Sequence, residues 1–468
     1  MKFRVEREVL GEAVSWVARA LPTRPVIPVL SGLLLHAEGD SLTLSCFDYE
    51  VSARARVAAD IGEPGVALVP GRLLAEITRS LPPFDVDISV IDGMVMVSCD
   101  SAEFGLVCLP LQEYPKLPEL PAVAGTVDGG ALATAAAQVV PSASRDDTLP
   151  MLTGVCLEFD GRSITLAATD RYRLAVRRLS WDPVDPAVHA SALVPARTLA
   201  DVARTMGPGR PVTIAFGLAD PDSSRPADGM ISFEGGGRQL TARLIGAEFV
   251  RYASRFPRQF DAIAELPAAP FTDAVRRVSL VAERASPVQL SFRRDTVVIQ
   301  AQSAGRARGI ESVPVRFAGA DQVISFNPHY LLDGLTAAAL SGQGRVAAPD
   351  EDQATAGAGR IRLEFTSPAK PAVITWLEGA QAGAGLAEPG DNSHGDSEPP
   401  DGNVAASGTS ATQPPGHPVR AATGAAGETG AAGETGAAAE TGAAAETRAA
   451  EEAAFRYLVV PLRVPVLG

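Results

Sequence analysis

The side chains with the plainest chemistry in this sequence are arginines at a repeated spacing. Arg72 and Arg79 are seven residues apart, and so are Arg197 and Arg204. Seven residues make two helical turns, so each pair lies on one helix face. Such a face is either simply solvated or one of several that offer sparse, sequence-blind positive charge to a phosphate backbone. Arg276-Arg277 adds a further pair. Asp170 beside Arg171 and Arg173 has the types of a catalytic cluster, but a salt-bridge network at a strand end is the commoner use of that pattern. The usual enzyme constellations are missing. His36, His189, His329, His394 and His417 are scattered, with no His-x-x-x-His or Cys-x-x-Cys pair for a metal. There is no Gly-x-x-x-x-Gly-Lys phosphate loop and no Gly-x-Ser-x-Gly elbow. Gly235-Gly236-Gly237 reads as a turn between strands. The sequence points to binding without cofactor, metal or intrinsic catalysis.

The elements that must position these arginines recur three times. Pro28-Val29-Leu30-Ser31-Gly32 is matched by Pro150-Met151-Leu152-Thr153-Gly154 and loosely by Pro287-Val288-Gln289-Leu290, at spacings of 122 and 137 residues. Those spacings are the size of a domain, not of a solenoid unit. Val69-Pro70-Gly71-Arg72 is matched by Val194-Pro195-Ala196-Arg197 and by Asn327-Pro328-His329-Tyr330. Each unit opens with a helix. The first has an apolar stripe of Val9, Leu10, Ala13, Val14, Val17 and Leu21. The middle one is alanine-rich from Ala131 to Val140. The third is expected to be capped near Thr272, with a stripe of Phe271, Ala274, Val275, Val278 and Ala282. Second helices are expected at Leu73–Leu81, Thr198–Met206 and Tyr330–Leu340. Alternating runs separated by Gly39-Asp40 and by Asp160-Gly161 predict hairpins. Helices packed on antiparallel sheet give an α+β class.

Composition bounds the rest. The length of 468 residues suits about three domains, and 46% hydrophobic residues suffice for real cores. The start carries no secretory pattern and no window approaches a membrane span. Cys46, Cys99, Cys108 and Cys156 stand singly, as reduced core thiols do. The net charge of −14 is concentrated: Glu378 to Ala454 holds 12 acids and 2 bases, leaving 43 acids against 39 bases elsewhere. That stretch is rich in Gly, Ala, Pro and Thr and repeats Glu-Thr-Gly at Glu428, Glu434 and Glu440. It is expected to be a disordered acidic insertion at about 378–454, replacing a hairpin turn of the third domain. Expected boundaries are 1–122, 123–256 and 257–468.

The run Ala168-Thr169-Asp170-Arg171-Tyr172-Arg173-Leu174 resembles the Thr-Asp-x-x-Arg-Leu signature of bacterial DNA sliding clamps, the beta subunits of DNA polymerase III. Arg24-Pro25 with Pro28-Val29-Leu30, Ser325-Phe326-Asn327-Pro328, and Tyr457-Leu458-Val459-Val460-Pro461-Leu462-Arg463 are similar to the same family, in an actinobacterial style. The resemblance covers Met1 to about Trp376 and Phe455 to Arg463. It implies three tandem clamp domains, helices inside and antiparallel sheets outside, in a head-to-tail dimeric ring around double-stranded DNA. It implies a cytoplasmic, nucleoid-associated processivity factor, not itself an enzyme. Implied partners are a second copy, the polymerase III alpha subunit, the clamp loader and other clamp-motif proteins, with no membrane. Arg24, Arg72, Arg79, Arg197, Arg204, Arg276 and Arg277 would face DNA. Phe104 and Leu106 of one chain would meet Ser279 and Leu280 of the next. A partner-peptide pocket would involve Leu152, Thr169, Arg171, Tyr172, Arg173, Leu174, Val250, Arg255, Asn327, Tyr330, Pro371, Leu458, Val459, Val460, Pro461, Leu462 and Arg463. Leu152, Leu174, Leu458 and Val460 would be its floor, and Arg173 and Arg463 its rim. Val250 and Arg255 depart from the family's usual proline and aliphatic residue. Loss of one apolar wall is expected to weaken an apolar ligand by about 1–3 kcal/mol. The alternative reading is a specialised clamp copy for repair or inhibitor tolerance.

Overall fold

The protein is described by a computed structural model over residues 1–207, 209–217, 229–283, 286–303, 305–342, 359–377 and 454–462. All of these belong to one packed unit, Met1–Ala382 with Ala453–Gly468. Three repeats follow one another, each with two helices: α1 (Arg7–Ala18) and α2 (Gly71–Ser80), α3 (Gly129–Val139) and α4 (Ala196–Met206), α5 (Ala268–Ser279) and α6 (Pro328–Ala339). The helices of each repeat pack against each other and cover one face of the sheets. In α1 the expected stripe is the buried one: Leu10, Ala13, Val14 and Val17 are fully enclosed.

Helix starts follow local chemistry. Asp128 caps α3 by accepting from the Ala131 amide at 2.7 Å, and Asn327 caps α6 by accepting from the His329 amide at 2.9 Å. The helix α5 corrects an expectation. It begins at Ala268, and Thr272 lies inside it, its hydroxyl donating back to the Ala268 carbonyl at 2.7 Å. Pro270 is tolerated because first-turn amides have no intrahelical acceptor.

The two expected hairpins form, Gly32–Glu38 with Ser41–Phe47 and Gly154–Asp160 with Ser163–Thr169, and a third pairs Val288–Phe292 with Thr296–Ser303. Gly236 and Gly237, at φ +61° and +73°, turn the chain between Met230–Gly235 and Arg238–Arg243.

The sheets tie the repeats together. Arg238–Arg243 of the middle repeat pairs with Val51–Ala58 of the first, making one nine-stranded sheet. Arg173–Ser180 pairs with Phe455–Val459 of the third, making another. The first repeat also contributes a five-stranded sheet ending on Ala102–Val107, and the third a four-stranded sheet ending on Ala307–Pro314. The strands flanking the acidic stretch, Ala372–Leu377 and Phe455–Val459, are antiparallel neighbours with Val373 opposite Leu458. The stretch thus joins two strands of a hairpin. Residues 378–453 of it lie outside the described residues.

Candidate functional site

The junction of the second and third repeats is a sheet whose two faces do different work. Leu174 lies opposite Leu458 across the joint. Both turn to the outer face, where they cluster with Cys156, Leu193, Tyr252, Phe256 and Val373 while Val460 packs alongside. Tyr252 and Phe256 come from the connecting segment, and the Tyr252 hydroxyl donates to Glu158. Burial and that neighbouring carboxylate raise the Tyr252 phenol well above its ordinary value. Arg456 lies over the Phe256 ring at 4.0 Å. A cleft of about 930 Å³ opens beside this cluster, lined by Cys156, Leu193, Phe249, Val250, Arg251 and Tyr252 among others.

The opposite face is locked by charge. Arg173 pairs with Asp170 at 2.9 Å and with Asp333 of α6, and its guanidinium lies 4.6 Å from the Tyr330 ring centroid. Tyr172 stacks on Tyr330 at 6.0 Å, and the buried Tyr457 hydroxyl donates to the Tyr330 carbonyl at 2.8 Å. The Thr169-to-Arg173 turn is closed by Thr169 donating to the Arg173 carbonyl at 2.6 Å. Asp170 accepts from the Tyr172 and Arg173 amides, both at 3.0 Å. Arg171 sits at the tip of that turn, exposed, at φ +81°. Deeper in the joint, the fully buried Gln138 of α3 donates to the Ala337 carbonyl at 2.8 Å and the Ser341 hydroxyl at 2.9 Å.

The expected pocket residues divide between the two faces: alternation turns Arg173, with Ala175, toward the helices beside Tyr330, while Leu174 joins the outer cluster. Val459 is buried in the main core for the same reason. Leu152 and Pro461 are buried, Pro371 is half-buried, and Val250 and Arg255 are exposed on the connecting segment. The Val460 amide donates to the Tyr172 carbonyl at 2.9 Å and the Leu462 amide to the Ser325 carbonyl at 2.7 Å, so the final strand stitches both repeats. Arg463 lies outside the described residues.

The helix arginines are exposed: Arg24, Arg72, Arg79, Arg197, Arg204, Arg276 and Arg277. An acid punctuates each pair. Glu76 stands between Arg72 and Arg79, and Asp201 between Arg197 and Arg204, at the same offset. Asp201 pairs with Arg204, and Arg276 pairs with Asp273 at 2.5 Å. Arg72 also donates to the Leu21 carbonyl at 3.0 Å. Arg277 holds Glu311 of the Ala307–Pro314 edge through contacts of 2.5 and 3.1 Å. Adjacent helical residues point about 100° apart, and Arg276 and Arg277 accordingly take different partners.

Among the described residues, the two outer edge strands are paired on one side only. On Ala102–Val107, Phe104 is 37% exposed and Val107 66%, whereas Leu106 is buried in the repeat's own core. Beside Ala307–Pro314, Leu280 is 81% exposed and Ile310 58%. Ser279 is half-buried and donates to the Val275 carbonyl at 2.6 Å. Open strand edges next to apolar side chains are templates for pairing.

Comparison with known proteins matches this division. The model for the N-terminal domain of the DNA polymerase III beta subunit matches residues 1–118, that for the central domain residues 126–250, and that for the C-terminal domain residues 253–342. The beta sliding clamp of Streptomyces coelicolor is 47% identical over 375 residues, covering 80% of this chain and 94% of that protein. This chain belongs to the DNA polymerase III beta subunit family. A beta sliding clamp homolog, GriR, of Streptomyces muensis is 45% identical over 336 residues, covering 72% of this chain and 88% of that one. Among solved structures, the DNA polymerase sliding clamp of Bacillus subtilis shares the fold at a TM-score of 0.73 and 20% identity, covering 99% of this chain and 100% of that chain. A Pseudomonas aeruginosa clamp bound to griselimycin does so at 0.71 and 22%, with the same coverage. Tyr252, Phe256, Arg456 and Gln138 join the expected residues at this joint. Only the alternation of Arg456 with Leu458 was visible in the sequence.

Proposed function

We propose that this chain is a sliding clamp that confers processivity on a replicative DNA polymerase without chemistry of its own. Two copies close head to tail into a ring of six repeats around duplex DNA. The observation that carries the reading is the pair of open edges. Among the described residues, one chain presents an open strand edge with Phe104 and Val107, the other an open strand edge with Ile310 beside Leu280. Heterologous edges of one chain close a two-membered ring when a two-fold relates them. Inside it, Arg24, Arg72, Arg79, Arg197, Arg204 and Arg276 meet phosphates. Because Glu76 and Asp201 interrupt the arginine pairs, the net charge per helix is small and contact stays weak. Weak, sequence-blind contact is what a tether that must slide requires.

The outer cluster around Leu174, Leu458 and Val460 is the docking pocket for linear motifs of the polymerase alpha subunit, the clamp loader and repair proteins. The expected domain boundaries, 1–122, 123–256 and 257–468, and a cytoplasmic, nucleoid-associated location belong to this reading. Primer extension on a singly primed circle, with polymerase alpha subunit and loader, tests it: products should lengthen at least tenfold when the protein is added. Unchanged product length would refute it. Arg255 in place of an aliphatic wall supports the second reading, a specialised copy. Replacing a host's only clamp with this chain separates the two, since a housekeeping clamp sustains growth and a specialised one does not.

A further inference from the structure

The two joints inside the chain are built alike. Where the first and second repeats meet, Leu240 stands opposite Ala53. Where the second and third meet, Tyr457 stands opposite Ala175. Matching backbone bonds close both ends of each joint. At one end the Arg243 amide donates to the Glu50 carbonyl at 2.8 Å, and the Val460 amide to the Tyr172 carbonyl at 2.9 Å. At the other the Arg56 amide donates to the Gly237 carbonyl at 2.9 Å, and the Arg178 amide to the Ala454 carbonyl at 2.8 Å.

The two open edges contain the same places. Phe104 pairs with Val97 in its own sheet, as Leu240 does with Phe233 and Tyr457 with Ile374. Gly309 pairs with Ala301, as Ala53 does with Cys46 and Ala175 with Ala168. A third joint of this build sets Phe104 of one copy opposite Gly309 of another. A large side chain then faces a small one, as Leu240 and Tyr457 face alanines. The same alignment puts Gly105 opposite Arg308 and Glu103 opposite Ile310. At the place of Arg308 and Gly105 the inner joints have Ser52 with Thr241 and Leu174 with Leu458. The open edges carry charge there instead. Glu103 and Arg308 are exposed, and among the described residues neither side chain has an ion-pair or hydrogen-bond partner. Alternation sends both to the outer face, away from the buried Leu106. Diagonal neighbours on antiparallel strands lie about 7–8 Å apart, within reach of long side chains. Gly105 puts no side chain between them.

We propose that the open edges join in this register, and that Glu103 of one copy pairs with Arg308 of the other so that each edge selects a second copy of this chain. The proposal rests on the head-to-tail reading above and adds the register and the charge of the preferred partner. The Val107 amide then donates to the Arg306 carbonyl of the other copy, and the Ser312 amide to the Ser101 carbonyl. A related edge without the carboxylate at the place of Glu103, or without the guanidinium at that of Arg308, is a poorer partner. A two-fold repeats the joint, so a substitution carried by both copies acts at both joints.

The test is sedimentation of the full chain, of E103R, of R308E, of E103R/R308E, and of the two single variants mixed in equal amounts. Each single variant sets like charges together, and its dimer dissociation constant should rise about 10- to 100-fold at low salt. The mixture and the double variant should return to within about threefold of the parent, because every cation again faces a carboxylate. Register is read by mild oxidation: E103C/I310C should form covalent dimers faster than E103C/S312C, with the parent as control for Cys108. A parent that is monomeric at micromolar concentration would overturn the ring reading and the proposal with it. A dimeric parent whose single variants dimerise equally well, or are not rescued by mixing, would overturn the charge pair and leave the ring. Faster linking of E103C/S312C would overturn the register.

Discussion

Replacing Glu364 with glutamine should make the protein more stable at pH 8 than at pH 5, relative to the parent. Glu364 lies on the strand Arg360–Phe365, on the outer face beside the docking cluster, opposite Val373 and Ile263. It is 5% exposed. Burial raises its carboxyl to about 7 from 4.5, opposed by Arg362 and Arg456. A group raised in the folded state binds its proton more tightly there than in the unfolded chain. Its contribution is fully present below about 4.5 and is lost as pH rises to about 7. At about 1.4 kcal/mol per pH unit, the parent loses roughly 2–3 kcal/mol between pH 5 and pH 8 through this one group. Glutamine keeps the neutral shape and does not titrate. Urea unfolding of both proteins at both pH values gives the variant-minus-parent difference, from which pH-independent packing effects cancel. A gain of roughly 2–3 kcal/mol at the higher pH is expected. A difference that stays constant within about 0.5 kcal/mol would refute the reasoning and mean that Arg362 and Arg456 neutralise the burial.

Other outcomes follow from the same geometry. Leu280→Glu places a charge on the most exposed apolar residue beside the third repeat's edge, and sedimentation at micromolar concentration should show the mass halved relative to the parent. Gln138→Ala removes two donated hydrogen bonds across the joint of α3 and α6 and should lower unfolding stability by about 1–3 kcal/mol. Gly334→Ala would bring a methyl group within 2.5 Å of the Tyr457 ring, so the thermal midpoint should drop by the equivalent of about 1–3 kcal/mol. Because Tyr457 also holds Tyr330 through its hydroxyl, peptide affinity should fall in the same variant.

Local pattern made much of this fold legible. The α1 stripe, the first two hairpins and the glycine turn at Gly236-Gly237 all follow from periodicity and turn chemistry. The start of α5 did not, because Pro267-Ala268-Ala269-Pro270 has no capping side chain, while Thr272 imitates one. Within the candidate site, the shared placement of Leu174 and Leu458 is legible, but the partners of Arg173 are not. Its direction is settled by Asp333, which lies 160 residues along the chain, and no local signal carries that. The same holds for Tyr252 and Glu158, joined across 94 residues. Arg277 shows a similar limit: its partner Glu311 lies 34 residues along the chain. Glu76 and Asp201 were present in the repeat all along, and their matched offset was as readable as that of the arginines.

The central claim is topological, and retention on DNA tests it most directly. The protein is loaded on a nicked circular duplex with clamp loader and ATP, freed of excess by gel filtration, and the circle is then cut once. The account predicts co-elution with the circle, tolerance of high salt, and release within minutes of linearisation. Continued retention on open linear ends, or loss from the intact circle as salt rises, would contradict it.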